Sequence, residues 1–303
     1  MLLLTACTAR KVQSFERVSP RSIPRGSLQR VGDGWAELLS RAKPAMRAAD
    51  LYLGAAPTIA RDLLAIGVRW HIVSAGVGLV SSRDLLPHYD CTVVGETPAN
   101  VLSRVTGSRP LPADWWRTLQ DSIGCSRPVR RLVLRTAPDT LCVALPSTYL
   151  AMVTPELEGL PTSLLQHLRL FVTDRGTLTD ALRDVAMPYD SRLDGSRSAY
   201  SGTRATFATR AAFHFITEIF AQDPKGTPTE HAQQVLAACS KWRRKKIATG
   251  ESRSDQQIRT LIERLLREGL STPTAQLRAL RTIKRVACEQ SRFARLFREV
   301  VNG

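Results

Sequence analysis

The chain has 303 residues, of which 43% are hydrophobic, so it can form a large core and is not a disordered polypeptide. Its formal net charge of +16 indicates a polyanionic partner, because a positive surface attracts phosphates and releases counterions on binding them. Six cysteines and five histidines occur without CxxC, HxH or HExxH spacing. This argues against a disulfide framework, and we expect neither a metal nor any other cofactor.

Apolar runs bounded by turn residues alternate with amphipathic patterns through the first 175 residues. They predict strands at 2–6, 71–75, 91–94, 132–135, 141–145 and 170–173. Helices are predicted at 34–43, 56–67, 97–105 and 113–123. Short, nearly continuous hydrophobic strands between helices indicate an α/β fold with three layers, in which helices flank a mainly parallel sheet.

The apolar start of the chain is interpreted as the first strand. Its three consecutive leucines are fewer than the roughly 7 to 15 apolar residues of a signal peptide. No stretch approaches the roughly 20 apolar residues of a membrane span. We therefore expect a cytoplasmic protein without a membrane partner.

The strand signal stops near residue 205. Helices are predicted at 205–222, 229–246, 254–268, 274–287 and 289–300, with Gly269 ending the third. The Ser-, Asp- and Gly-rich segment 188–204 is interpreted as a linker between an α/β catalytic domain, 1–187, and a basic helical region, 205–303.

Residues 241–303 contain sixteen Lys and Arg but six Asp and Glu, so most of the net charge lies there. Such an asymmetry is typical of a nucleic-acid-binding surface. The predicted DNA-binding residues are Arg243, Arg244, Lys245, Lys246, Arg281, Lys284 and Arg285.

Ligands of open α/β sheets bind at the carboxyl ends of the strands. The turn after the first strand contains Thr8, Arg10 and Lys11, which are predicted to contact a phosphate or sugar. An ordinary strand-to-loop turn is the alternative. Lys11 could also attack a sugar as a Schiff-base amine, but we expect its setting to be too open and too cationic for that reaction.

After the second strong strand come Ser74, Gly76 and Gly78, whose glycines would let a ligand approach the backbone closely. Ser81 stands where a dinucleotide-binding fingerprint has its third glycine, so NAD binding is disfavoured. Next come Tyr89 and Asp90, an aromatic ring for base stacking and a carboxylate that could stabilise a cationic centre. Asp90 could equally be a turn or capping residue.

Two further candidate site residues, Ser147 and Asp174, follow later predicted strands. Asp174 could instead cap a helix beginning near residue 178. Tyr200 and Arg204 combine a stackable ring with a cation and are predicted to contact a base or phosphate, with a helix-entry loop as the alternative. No Gly-x-Ser-x-Gly motif and no Ser-His-Asp order is present, so serine hydrolase chemistry is disfavoured.

Three of these segments, 5–11, 74–79 and Tyr89-Asp90, resemble in order a bacterial domain family related to the lyase-like domain of archaeosine synthases and, more distantly, to the uracil-DNA glycosylase fold. Gly76-Val77 replaces the Lys-Tyr usual in the second motif. With the basic helical C-terminus, including residues 287–293, the whole chain also resembles bacterial anti-phage DNA glycosylases, which remove glucosylated hydroxymethylcytosine from viral DNA.

The resemblance implies an enzyme that flips a modified base out of double-stranded phage DNA and breaks its N-glycosidic bond. Tyr89, Asp90 and Asp174 would be the catalytic residues. Two alternatives remain: an enzyme of the same fold acting on free nucleotides or RNA bases, like a transglycosylase, and a non-enzymatic DNA-binding sensor.

Overall fold

A five-stranded sheet forms the centre of the first of two compact units, 1–244 and 245–303. The computed structural model describes residues 1–244 and 250–302. The sheet strands are β1 (Leu2–Ala6), β3 (Arg69–Ser74), β4 (Gly78–Ser81), β6 (Leu141–Ala144) and β7 (Leu168–Phe171). Their order is β4-β3-β1-β6-β7, and all are parallel except β4, which runs antiparallel to β3. The predicted α/β fold with a mainly parallel sheet is confirmed.

Helices pack around this sheet. They are α1 (Leu28–Arg41), α2 (Ala48–Leu51), α3 (Ala55–Ala65), α4 (Pro112–Ser122), α5 (Pro128–Thr136), α6 (Ser147–Glu158), α7 (Thr162–Leu165), α8 (Asp180–Asp184), α9 (Phe207–His214) and α10 (Pro228–Ser240). Helix α4 packs between α1 and α6, whereas α9 packs on α3, β6 and β7. A short antiparallel pair, β2 (Met46–Arg47) and β5 (Leu85–Leu86), lies outside the main sheet.

Two predicted strands are wrong. Residues 132–135 lie inside α5, where Val129, Leu132 and Val133 are buried at helical spacing and Pro128 occupies the first turn. The apolar run is therefore one face of a helix, and a proline at that position favours a helix start. Residues 91–94 contain only an isolated bridge, between Thr92 and Asn100. The predicted helix at 97–105 is a single 3-10 turn, Val101–Arg104.

The chain leaves β1 to form β3 on one side and later returns to form β6 on the other side of β1. In doubly wound sheets, the loops at the carboxyl ends of the strands on either side of such a switch point diverge, and ligands bind there. The loop from Cys7 and the start of α6 at Ser147 lie at this point.

The predicted linker does not separate two bodies, because the first compact unit extends to Arg244. Helix α9 is buried on nearly every side and continues as a π-helix, Phe215–Phe220. Buried Arg210 on α9 forms an ion pair with Asp194 at 2.8 Å and donates a 2.8 Å hydrogen bond to the carbonyl of Thr203. These contacts hold segment 188–204 against α9, so the division lies about 40 residues later than predicted.

The second unit contains α11 (Asp255–Arg267), α12 (Pro273–Thr282) and α13 (Gln290–Asn302), with the short parallel pair β8 (Glu251–Ser252) and β9 (Val286–Ala287). Its core includes Ile258, Leu280 and Phe293. Gly269 has a φ of +88° directly after α11, which confirms the predicted terminating glycine. In the described parts of both units, no helix is long and apolar enough to cross a bilayer.

A buried histidine joins β7 to α10 in the first unit. Arg169 Nε donates to His231 Nδ1 at 2.9 Å, and His231 Nε2 lies 2.7 Å from the carbonyl oxygen of Asp223. Because Nδ1 accepts, Nε2 holds the hydrogen and the imidazole is neutral. Burial lowers the pKa of His231, and also of His71 and His214, below the ordinary value.

These lowered pKa values predict that acid destabilises the first unit. An unfolded histidine has a pKa of about 6.5, so below that pH the unfolded chain binds more protons than the folded one. Stability is then full above pH 6.5 and declines as the pH falls. All five tryptophans lie in the first unit, so the urea midpoint by tryptophan fluorescence should be lower at pH 5.5 than at pH 7.5. His231→Gln should flatten this dependence, and an equal or higher midpoint at pH 5.5 would contradict it.

Candidate functional site

The loop after β1 is held in place by the segment after α2. Val12 N donates to the carbonyl of Leu51, and Leu53 N donates to that of Arg10. Thr8 Oγ1 contacts the carbonyls of Leu53, at 3.1 Å, and Arg10, at 2.7 Å. The Thr8 hydroxyl therefore closes this turn, while the Arg10 side chain is exposed. The same pairing sets Lys11 directly opposite Tyr52.

Lys11 is buried, with 6% of its surface exposed, and its Nζ has no hydrogen-bond partner among the described residues. Nζ lies 4.6 Å from the ring centroid of Tyr89 and 5.8 Å from that of Tyr52. Cation–π contacts of about 0.5–2 kcal/mol do not replace the hydrogen bonds that an ammonium makes in water. The expectation of an open, cationic setting for Lys11 is therefore wrong.

Hydroxyl groups form a connected set beside this lysine. The Tyr52 and Tyr89 hydroxyl oxygens are 2.5 Å apart, and Ser74 Oγ lies 2.7 Å from that of Tyr89. Ser74 Oγ also accepts from the backbone N–H of Gly76 and Val77. Burial raises the pKa of Tyr52 and of Tyr89 above the ordinary value, so both phenols stay neutral and can act as proton donors at neutral pH.

Two thiols and a third phenol complete the site. Cys7 Sγ lies 3.3 Å from the hydroxyl of Tyr149 in the first turn of α6, and Cys91 Sγ lies 3.7 Å from the carbonyl of Ala75. Burial raises the pKa of Tyr149 and of Cys91, so Cys91 remains a thiol with low nucleophilicity. We call the whole set the lysine cluster; it consists of Cys7, Lys11, Tyr52, Ser74, Tyr89, Cys91 and Tyr149.

The two glycines after β3 make room for side chains of the protein itself. A Cβ on Gly76 would lie 2.5 Å from Cε2 of Tyr89, and one on Gly78, whose φ is +76°, would lie 2.8 Å from Nε2 of Gln120. Trp35 Nε1 donates to the Gly76 carbonyl at 2.6 Å. The close approach predicted for a ligand is thus made by Tyr89 and Gln120.

Tyr89 is 3% exposed and lies against Lys11 and Gly76, so its ring offers no open face for the predicted base stacking. Asp90 is half-buried, and its carboxylate forms no hydrogen bond or ion pair with a described residue. Both of its chain neighbours, Tyr89 and Cys91, are buried in the cluster. Burial raises the pKa of the Cys91 thiol, and the Asp90 charge contributes to this rise. No described Asp or Glu side chain hydrogen-bonds to a cluster residue.

Ser147 is exposed at the first residue of α6, at the same sheet edge as the cluster. Asp174 lies beyond β7, three strands from β3, or about 14 Å at the usual strand spacing. Its Oδ1 accepts from Gly176 N at 2.8 Å, and α8 begins only at Asp180. Asp174 therefore closes a local turn; it is outside the cluster, and its predicted helix-capping role is wrong.

Tyr200 and Arg204 belong to a different region of the first unit. The Tyr200 hydroxyl donates to Glu218 at 3.0 Å, and its ring packs 4.8 Å from that of His214 and 5.9 Å from that of Trp242. Arg204 is exposed at the start of a 3-10 turn. Neither residue contacts the lysine cluster.

The predicted DNA-binding cations differ in how free they are. Arg243 is exposed, whereas Arg244 pairs with Asp190 at 3.2 Å; Lys245 and Lys246 lie outside the described residues. In the second unit, Arg281 donates to the carbonyl of Cys288 at 2.7 Å.

Several cations of the second unit are neutralised internally: Arg259, Arg292 and Arg295 pair with Asp255 or Glu299. Four cations on α12 and the following turn form no ion pair with described residues, and we call them the basic ridge: Arg278, Arg281, Lys284 and Arg285. Arg278 is an addition to the cations predicted from the sequence.

Sequence reasoning missed Tyr52, Cys91 and Tyr149 as parts of one site. Tyr52 lies in an unremarkable apolar stretch, and only its pairing with Lys11 brings it to the cluster.

Among the described residues, no group of three or more His, Cys, Asp or Glu side chains could hold a metal ion. No protein-family model, curated protein or solved structure matches this chain.

The unpartnered amine of Lys11 predicts that Lys11→Met will not destabilise the protein. Methionine keeps most of the side-chain volume and removes a buried ammonium that no anion compensates. The melting temperature, followed by tryptophan fluorescence, should be equal to or above that of the unmodified protein. Tyr52→Ala, which leaves a cavity in the same cluster, should lower stability by about 3–5 kcal/mol. A clear loss of stability in Lys11→Met would show that the amine has a stabilising partner.

Proposed function

We propose that the protein is a DNA glycosylase that excises a modified base from double-stranded DNA. The observation that carries the proposal is the position of the lysine cluster: a buried, unpartnered amine and neutral phenols lie at the switch point of the sheet. Ligands of doubly wound folds bind there. The net charge of +16 supports a nucleic acid as the ligand.

Cleavage of an N-glycosidic bond leaves electrons on the departing base and positive charge on the sugar. The base leaves more readily when a proton donor meets it, and the neutral phenols of Tyr52 and Tyr89 are such donors. An amine can capture the electron-poor C1′ of the sugar, as a nucleophile does in covalent catalysis. The described cluster therefore contains a proton donor for the departing base and an amine able to react with the sugar.

A buried cluster can act on DNA only if the nucleotide leaves the base stack, at a cost of a few kcal/mol. Phe15, in the loop that follows Lys11, is fully exposed. It lies in sequence between Arg10 and Arg17, which are also exposed. An exposed ring flanked by cations is suited to enter a base step while the cations contact phosphates.

The resemblance of the sequence implies which base is removed. It indicates glucosylated hydroxymethylcytosine in phage DNA, so the protein would act in the cytoplasm of a bacterium as an antiviral enzyme. The basic ridge of the second unit would hold the phosphate backbone independently of sequence.

The test compares three DNA duplexes of one sequence that contain cytosine, hydroxymethylcytosine or glucosylated hydroxymethylcytosine. We expect released base and alkali-labile abasic sites from the glucosylated duplex, and at least a 100-fold slower release by Lys11→Met with DNA binding retained. Lys225→Gln, which alters an exposed lysine of the same unit, should react like the unmodified protein. DNA binding without base release from any duplex would refute the proposal, as would cleavage of free nucleosides alone.

The basic ridge makes a separate prediction about binding. Arg278→Gln/Arg285→Gln should weaken DNA binding and lower the slope of log K against log salt by about 1–2, because each lost phosphate contact removes about 0.9. Arg253→Gln/Arg264→Gln is the matched control, since it removes the same charge from the same unit at arginines already paired with Glu251 and Glu268. Equal effects of the two double variants, measured by fluorescence anisotropy from 50 to 300 mM salt, would contradict a role specific to the ridge.

A further inference from the structure

The lysine cluster holds an amine but no carboxylate among the described residues that contact it. This composition differs from that of a site in which a carboxylate directs water at the sugar. We propose that Lys11 is the nucleophile that attacks the sugar, and that the protein consequently cleaves the DNA strand at the site of base removal. The inference rests on the proposed function and extends it from base release to a strand-incising lyase activity.

The first argument is the isolation of the Lys11 amine. Its Nζ lies 4.6 and 5.8 Å from the centroids of two aromatic rings. Burial raises the pKa of Tyr52, Tyr89 and Cys91, so these three groups are neutral and supply no counter-ion at neutral pH. A buried polar group without a partner is rare in folded proteins and costs stability. Residues that break a folding rule in this way are concentrated at functional sites.

The second argument is the absence of a hydrogen bond from Asp90 to the cluster. It is the carboxylate nearest in sequence to the cluster, yet it is half-buried and hydrogen-bonds to no described cluster residue. Asp174, the other predicted catalytic carboxylate, lies in the loop after β7, which is three strands away from β3 in the sheet. No described hydrogen bond therefore places either carboxylate to activate water at the Lys11 position, and we assign the role of nucleophile to the amine.

The reaction balances with water as the only co-reactant. The Lys11 ammonium first gives up one proton, which passes to the departing base; the freed lone pair adds to C1′ while the C1′–N bond breaks, and the electron pair of that bond leaves with the base. The amine nitrogen loses its remaining extra proton, O4′ gains one, and opening of the C1′–O4′ bond leaves a C1′=N iminium. The C2′ proton then passes to water, its bonding pair forms the C2′=C3′ double bond, and the C3′–O bond breaks to release the 3′ phosphate as an anion. Water finally hydrolyses the iminium, which releases an unsaturated aldehyde and regenerates the amine.

The phenols have a defined part in this sequence. Tyr52 and Tyr89 share a 2.5 Å hydrogen bond, and Nζ lies 5.8 and 4.6 Å from their ring centroids, so two proton donors lie in the same buried cluster as the atom that forms the new bond. Because both are neutral, they donate protons to the departing base or to O4′ and do not remove the C2′ proton. Tyr89→Phe should therefore slow base release more than it slows cleavage of a DNA that already contains an abasic site.

The experiment uses the full-length protein, the glucosylated duplex and sodium borohydride, which reduces an iminium to a stable amine. We expect a covalent protein–DNA product on a denaturing gel, with the added mass on the peptide that contains Lys11. Without borohydride, the labelled strand should be cut at the site of base loss before any alkali treatment. Lys11→Met should give neither product, and Lys225→Gln should give both.

Each other outcome has a single meaning. Base release without a trapped product and without strand cleavage overturns the lysine nucleophile and leaves the proposed glycosylase intact. A trapped product on a lysine other than Lys11 overturns the assignment of the residue. No base release from any duplex refutes the proposed function; a pre-formed abasic duplex then tests Lys11 separately, because a nucleophilic amine there should still be trapped, and failure to trap it overturns the inference.

Discussion

Tyr89 joins the parts of the chain that form the switch point. Its ring lies where a Cβ on Gly76 would otherwise be, its hydroxyl bonds to Ser74 and Tyr52, and its face covers the Lys11 amine. One side chain thus connects the loop after β1, the segment after α2 and the loop after β3. A glycine at position 76 is the condition for this arrangement, because any side chain there would push the ring away from Ser74.

The same contact explains why Lys11 is buried. The loop after β1 pairs with residues 51–53, so the backbone of Lys11 lies opposite that of Tyr52 and its side chain enters the space between two phenols. Both phenols are uncharged at neutral pH, since burial raises the pKa of each. The fold therefore holds an amine in an aromatic environment at the sheet edge where ligands bind.

The second unit is the more densely charged of the two. The first unit contains the lysine cluster and has a net charge of +9 in 244 residues, and the second has a net charge of +7 in 59 residues, from thirteen Lys and Arg and six Asp and Glu. Part of that charge is used internally, because Asp255 and Glu299 pair with arginines of α11 and α13. The charge that remains for a partner is smaller than the composition suggests, and it includes the basic ridge on α12 and its following turn.

The amino-acid sequence by itself determined the fold class, the strands β1, β3, β6 and β7, and Gly269 as the end of α11, because these follow from short-range periodicity and turn chemistry. Short-range patterns did not distinguish a helix from a strand at residues 132–135, where three apolar residues in a row fit both. The same patterns identified Lys11 and Tyr89 as candidate site residues but predicted that both side chains would be open to a ligand, whereas both are buried. Burial, side-chain direction and the presence of Tyr52 depend on contacts between segments more than 35 residues apart, which no local pattern encodes. Only the tertiary structure therefore decided that the amine is enclosed between two phenols.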